Sequence, residues 1–464
     1  MASLEQYSHH TTIDQRREVA VSFKQNWGGA RAAWRFRYAL NRMSMQTPRH
    51  ARLLALAAAL AIVLTLAAVM TESAQAQTYS VIYNFTGGVD GAMPMAGLTS
   101  DGIAAFYGTA NYGGIKGGPC GSNGCGVVYR LFEGEGGWTV TPLYSFLGGA
   151  DGQNPETANL AFGPDGALYS TTFLGGGGCS APGCGTVYKV APLQGDRLSP
   201  SSWVETIIHS FNYAEGSGPV GAPVFDHSGN LDGVTNAGGL NNGGIIYQLN
   251  QSSDWQEEVL FHPYGYPGSG VTMDHAGNLY GTTFNGGNNF HGSVYKLTPS
   301  GSGFTETDLY DFTNGSDGGY PKAGVILDQQ GNIYGATTTG GSGRGGTVFE
   351  LSFQNGQWVY STLYSFASPS NGGIISGPVG NLVMDNAGNL YGTTFADGAH
   401  GAGAVFKLTP SNGSWTYTSL HDFTNGSDGG FPYSNLVLDP HGNLYGTAST
   451  GGASGAGVVF EIKP

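Results

Sequence analysis

Positive charge is scarce in this chain: 18 Lys and Arg stand against 32 Asp and Glu among 464 residues, a net charge of −14. Nine of those basic residues and four of the acidic ones fall before residue 77, so residues 77–464 hold 9 basic and 28 acidic groups, a net −19. No basic stripe remains to neutralise phosphates, which excludes nucleic acid as an expected partner. Catalytic signatures are missing as well. The chain has no Gly-x-Ser-x-Gly elbow, no His-Glu-x-x-His, and no phosphate-cradling glycine loop that opens a helix. Glycine clusters such as GGSGRGG (340–346) fall between two strand patterns, where a dinucleotide fingerprint does not occur.

Cysteine is nearly absent, with four copies in two matched segments, CGSNGC at 120–125 and CSAPGC at 179–184. In an exported chain, Cys120 with Cys125 and Cys179 with Cys184 read as one local disulfide per loop. Each would close a short ring, worth roughly 2 kcal/mol in the chain-entropy estimate. The competing reading is one zinc ion held by four thiolates from adjacent loops; the CxxxxC spacing is wider than most zinc knuckles use.

The export reading rests on Leu53–Met70, LLALAAALAIVLTLAAVM, an uncharged run preceded by Arg49, His50 and Arg52 and followed by Ala74-Gln75-Ala76. This is the pattern of a secretory signal peptide with cleavage near Gln77; an uncleaved membrane anchor is the alternative, and the only expected membrane contact. Both place residues 77–464 outside the cytoplasm, secreted, periplasmic or on the cell surface. The segment before the run is long for a signal, so Met1–Arg42 reads as sequence upstream of a true start at Met43 or Met45. The expected organisation is a signal segment over 1–76 and one folded domain over 77–464.

What is abundant is glycine, 80 residues, and repetition. FTNGSDGG occurs at Phe312–Gly319 and again at Phe423–Gly430. It belongs to a unit of about 55 residues. A second-strand pattern appears seven times: AFYGT (105–109), ALYSTT (167–172), NLDGVT (230–235), NLYGTT (278–283), NIYGAT (332–337), NLYGTT (389–394) and NLYGTA (443–448). A third-strand pattern, GVVYRL to GVVFEI, also occurs seven times. A fourth strand opening on Trp138, Trp203, Trp255, Phe304, Trp358 or Trp415 follows only six of these, and TYSVIYNF (78–85) supplies the missing one from the other end of the domain. Short strands punctuated by glycine, with a first strand that completes the last unit, predict an all-β, seven-bladed β-propeller of four-stranded blades. The Asp-x-x-Gly-Asn-[Leu/Ile]-Tyr-Gly segments read as tight turns between first and second strands, their Asp accepting backbone N–H bonds.

The combined pattern LYSF…GSDGxxP…GLVLD…GNLYGTT…GG…GTVFKL resembles the GloVer tandem repeat of bacterial choice-of-anchor surface proteins, over Thr78–Ile462. The resemblance implies an exported bacterial repeat protein with no established catalytic residues. Members carry varied carboxy-terminal sorting signals, whereas this chain ends on a strand, which favours a free secreted or periplasmic protein.

Candidate site residues come from places where one repeat departs from the others. Asp232 stands where six repeats have a second-strand tyrosine. Nearby crossing loops become aromatic, with Tyr213, Tyr264 and Tyr266, and the glycine loop NGGNNFHG brings Asn288, Asn289 and Phe290. Aromatic faces beside amides suit a sugar ring, with hydrogen bonds at the rim. Crossing-loop carboxylates Asp90, Asp151, Glu215, Asp317 and Asp428 recur at matching places; Asp317 and Asp428 are the weak calcium candidates, since no loop has the spacing that gathers several oxygens on one ion. No other cofactor is expected. The chain thus reads as a non-catalytic binder of an extracellular glycan, peptide or surface polymer. The alternative is a propeller hydrolase or lyase acting on a sugar or lactone, by fold analogy alone.

Overall fold

The computed structural model describes residues 77–193, 203–301, 303–368 and 377–464, and expectations for 1–76 lie outside it. Among the described residues no helix is long and apolar enough to cross a membrane, and single 3-10 turns stand at Gly118–Cys120, Gly149–Asp151 and Gln251–Ser253. Everything else is strand and glycine-rich loop.

The strands form seven antiparallel sheets of four, the blades of a β-propeller. Blade 1 comprises Thr99–Ser100, Ala105–Ala110, Val127–Gly134 and Gly137–Ser145, and blades 2–6 repeat this order down the chain. Blade 7 takes Val437–Leu438, Leu444–Ala448 and Val458–Lys463 from the carboxy-terminal end and Thr78–Asn84 from the other. The closing register runs from Thr78 opposite Lys463 to Asn84 opposite Val458. The ring predicted from the repeats is therefore closed by the strand predicted to close it.

The repeated residues explain the packing. In the second strand, Leu faces the preceding blade and Tyr the following one: Leu168 joins the cluster containing Tyr107, and Tyr169 the cluster containing Tyr247. Tyr107 packs against Phe162 and Trp203 of blade 2, Tyr169 against Phe225 and Trp255 of blade 3, and Tyr445 against Phe106 and Trp138 of blade 1. The glycine after that tyrosine is needed for space. A Cβ at Gly446 would come within 2.5 Å of the Phe460 ring on the third strand.

Hydroxyls stitch neighbouring blades at the inner end. Thr109, Thr282 and Thr393 donate to Pro155, Ala323 and Ser434 carbonyls of the next blade, and Thr447 to Ala96, closing the ring from blade 7 to blade 1. The turn aspartates do the local work expected of them. In Asp385, Oδ1 accepts from the Ala387 and Asn389 N–H groups at 2.9 Å while Oδ2 accepts from Asn389 Nδ2 at 2.7 Å and Tyr391 Oη at 3.0 Å.

Candidate binding site: an axial cavity and the loop platform beside it

The inner strands of all seven blades converge on a cavity of about 620 Å³, within the range of small-molecule sites. Met95, Glu156, Val224, Gly270, Lys322, Asn381 and Asn435 reach it from blades 1 to 7 in turn. Asparagines knit the wall: Asn159, Asn381 and Asn435 each accept, through Oδ1, an N–H from the inner strand of the preceding blade, at 2.6–2.7 Å.

Two ionisable groups of opposite sign line the cavity. Lys322 Nζ donates to Tyr433 Oη at 2.9 Å and lies over the Phe284 and Tyr433 rings at 5.8 and 5.6 Å. Glu156 is half-buried; its burial raises the carboxyl above the usual range, and the Lys322 charge partly offsets the rise. Sequence reasoning missed both. Each sits at a loop-to-inner-strand junction of its own blade, and only the radial fold brings the positions together.

Beside this cavity lies a shallower depression of about 340 Å³, lined by Asn241, Asn242, Tyr264, Tyr266, Asn285 and Phe290. Tyr266 lines both spaces. Tyr264 is 73% exposed, Phe290 66% and Tyr213 53%, and the Tyr213 hydroxyl donates to Asn242 Oδ1. The fold therefore places Tyr264, Tyr266 and Phe290 around one depression, with Tyr213 joined to its edge through Asn242. Other members of the set lie elsewhere. Asn288 turns its amide onto Asp311 Oδ2 at 2.5 Å, and Asn289 is exposed on the same loop without lining the depression.

Asp232 is separate from the platform. It is buried to 1% exposure, and its Oδ1 accepts from Gln248 Nε2 at 2.9 Å. Burial pushes its carboxyl up to about 7, against the Gln248 hydrogen bond and together with the nearby Asp226 charge. Its partner is thus internal.

The calcium candidates serve their own loops. Asp317 accepts from Thr313 N at 2.8 Å, Thr313 Oγ1 at 2.5 Å and Tyr310 Oη at 3.1 Å; Asp428 accepts from Thr424 N at 2.9 Å, from the Thr424 hydroxyl, and faces His421 Nε2 at 3.1 Å. The cysteines form two disulfides, Cys120–Cys125 and Cys179–Cys184, with Cα atoms 5.2 and 5.6 Å apart, which removes the four-thiolate zinc reading.

Fold and repeat together define the class, a seven-bladed propeller with an open axial cavity. The chain belongs to the Gloeobacter/Verrucomicrobia repeat family, whose model matches residues 67–262, 117–312, 196–379 and 266–464. No curated protein matches it. Among solved structures, it is similar to a putative 6-phosphogluconolactonase from Bacteroides uniformis, at 15% identity and a TM-score of 0.47, over 76% of this chain and 89% of that one. An ulvan polysaccharide lyase is similar at 10% identity and a TM-score of 0.47, over 80% and 93%. A putative gluconolactonase is similar at 13% identity and a TM-score of 0.38, over 66% and 87%.

Proposed function

We propose that this is an exported, non-catalytic propeller that binds an extracellular glycan across the loop platform of blades 3 and 4 and the axial opening beside it. The observation that carries the reading is the shared wall. Exposed Tyr264 and Phe290 and the amides of Asn242 and Asn285 surround a depression that meets the axial cavity at Tyr266. Rings that stay exposed, forgoing the stabilisation of burial, with amides at the rim, suit the apolar faces and hydroxyl edges of sugars. A path from rim to axis suits a chain more than a single monosaccharide. Export is supported by the two disulfides, which persist in oxidising compartments.

A second reading is favoured by one observation, the axial Glu156, Lys322 and Tyr433. A carboxyl raised above its usual range by burial, lining the same cavity as a lysine-bound phenol, is a proton donor and acceptor set of the kind a hydrolase or lyase uses.

One experiment serves both readings. The purified protein is screened against neutral and acidic polysaccharides, reading binding and, in the same wells, new reducing ends or unsaturated products. The expected result is binding without product, weakened at least tenfold in Tyr264→Ala or Tyr266→Ala, with melting temperature nearly unchanged. Product formation abolished by Lys322→Met would replace this reading with the enzyme. Unaltered binding in both tyrosine variants would remove the platform from consideration.

A further inference from the structure

The seams between blades supply their own controls. Two residues after the aromatic that opens the outer strand stand, from blade 1 to blade 6, Val140, Glu205, Glu257, Glu306, Tyr360 and Tyr417, and in blade 7 Tyr79 holds the same register, opposite Ile462 as Tyr417 is opposite Leu408. In the last three blades this ring stacks on the preceding blade: Tyr360 on Tyr310 at 4.3 Å, Tyr417 on Tyr364 at 4.5 Å and Tyr79 on His421 at 3.6 Å. Blades 2, 3 and 4 put a glutamate there instead.

The residue stacked upon has a second habit. Tyr83, Tyr144, Tyr310 and His421 each reach the carboxylate of the crossing loop that follows, at 2.5–3.1 Å from Asp90, Asp151, Asp317 and Asp428. Blade 2 changes both partners, to His209 and Glu215, and that hydrogen bond is not made. At this one seam a histidine, a crossing-loop carboxylate and a seam glutamate, Glu257 of blade 3, coincide. One ligand atom from each lies within 4.8 Å of the other two.

Two atoms in the cluster lack partners. His209 Nε2 and Glu257 Oε1 are buried and hydrogen-bonded to nothing among the described residues. The Glu257 side chain is only 7% exposed, and its Oε2 stands 3.6 Å from His209 Nε2, beyond hydrogen-bond range. Glu215 is held in place by the Asn212 amide, which donates to its Oε2. A buried polar atom left unsatisfied keeps its full desolvation penalty, so the arrangement calls for something to fill it. The spacing suits a metal. Donors at about 2.1 Å from a tetrahedral ion sit about 3.4 Å apart, close to the observed imidazole–carboxylate gap.

We propose that His209, Glu215 and Glu257 form a zinc-binding site at the seam between blades 2 and 3. One imidazole and two carboxylates are a donor set for zinc, and the imidazole argues against calcium, which takes oxygen alone. Three protein ligands leave a fourth position for water or for an oxygen of a bound ligand. The other glutamate seams lack the imidazole: Glu205 faces the Tyr144 side and Glu306 the Asp308–Asp311 pair.

The test uses the purified protein without a histidine tag, stripped with chelator and dialysed against zinc chloride, with metal content measured by plasma emission and affinity by calorimetry. The expected result is one zinc per chain, a rise in melting temperature on loading, and at least a tenfold loss of affinity in Glu257→Gln. His209→Tyr, which restores the residue found at this place in blades 1, 4, 5 and 7, should lose zinc while melting as the stripped protein does. If that variant does not fold, Glu257→Gln decides alone. No stoichiometric zinc, equal zinc in Glu257→Gln, or calcium bound in preference to zinc would each overturn the assignment.

Discussion

Asp232 carries a carboxyl where Tyr107, Tyr169, Tyr280, Tyr334, Tyr391 and Tyr445 place a ring, and the cost of that exchange depends on pH. Burial pushes its carboxyl up to about 7, so the folded chain holds the proton more tightly than the unfolded chain does. The associated stability is complete below the unfolded value of about 3.9 and is lost as pH rises to about 7. Burial also pushes Glu205 up to about 8 and Glu306 up to about 7, and neighbouring acids add to both rises, so their contributions fall in the same direction. The melting temperature should therefore decline between pH 5 and pH 8. Asp232→Asn should decline less, gaining ~1–3 kcal/mol over the parent at pH 8 and nothing at pH 4. A variant whose thermal profile matches the parent at both pH values would show that this carboxyl ionises freely. The sequence identified the odd residue but not its role, because the answer depended on Gln248, a cross-strand neighbour sixteen positions away.

At the scale of the element, the turn between first and second strands is the most repeated and the most locally determined feature. Asp385 shows why. Burial alone would raise its carboxyl, yet hydrogen bonds from the Asn389 side chain, the Asn389 and Ala387 backbone and Tyr391 together hold it below the usual carboxylate range. Asp385→Ala orphans these donors and should cost ~2 kcal/mol in a urea titration, with blade 6 opening first in hydrogen exchange. A loss within ±0.5 kcal/mol would mean that water satisfies the turn as well as the carboxylate does. Such turns were legible because donor, acceptor and glycine lie within eight residues. The seam glutamates were not. Along the outer strand Glu257 looks like a solvent-facing residue in QEEVLF, and only alignment of the seven outer strands reveals it in a place that blades 5 to 7 fill with tyrosine.

For the whole molecule, blade count and closure could be read because each repeat announces itself locally and the count of outer strands came up one short. The axial cavity could not be read, since Glu156 and Lys322 are far apart in the chain and acquire a common environment only when the ring closes. Removing residues 77–86 should leave Val458–Lys463 with an unpaired edge and yield an aggregating product; a soluble truncation with unchanged melting temperature would show the closing strand to be dispensable. The same pairing has a consequence for how the chain could be rewired. Because Thr78 lies directly opposite Lys463, the two ends of the propeller are neighbours, and a short glycine linker would join them without disturbing a strand. The backbone could then be cut at any outer glycine turn, giving a circular permutant whose blades occur in rotated order around the same axis.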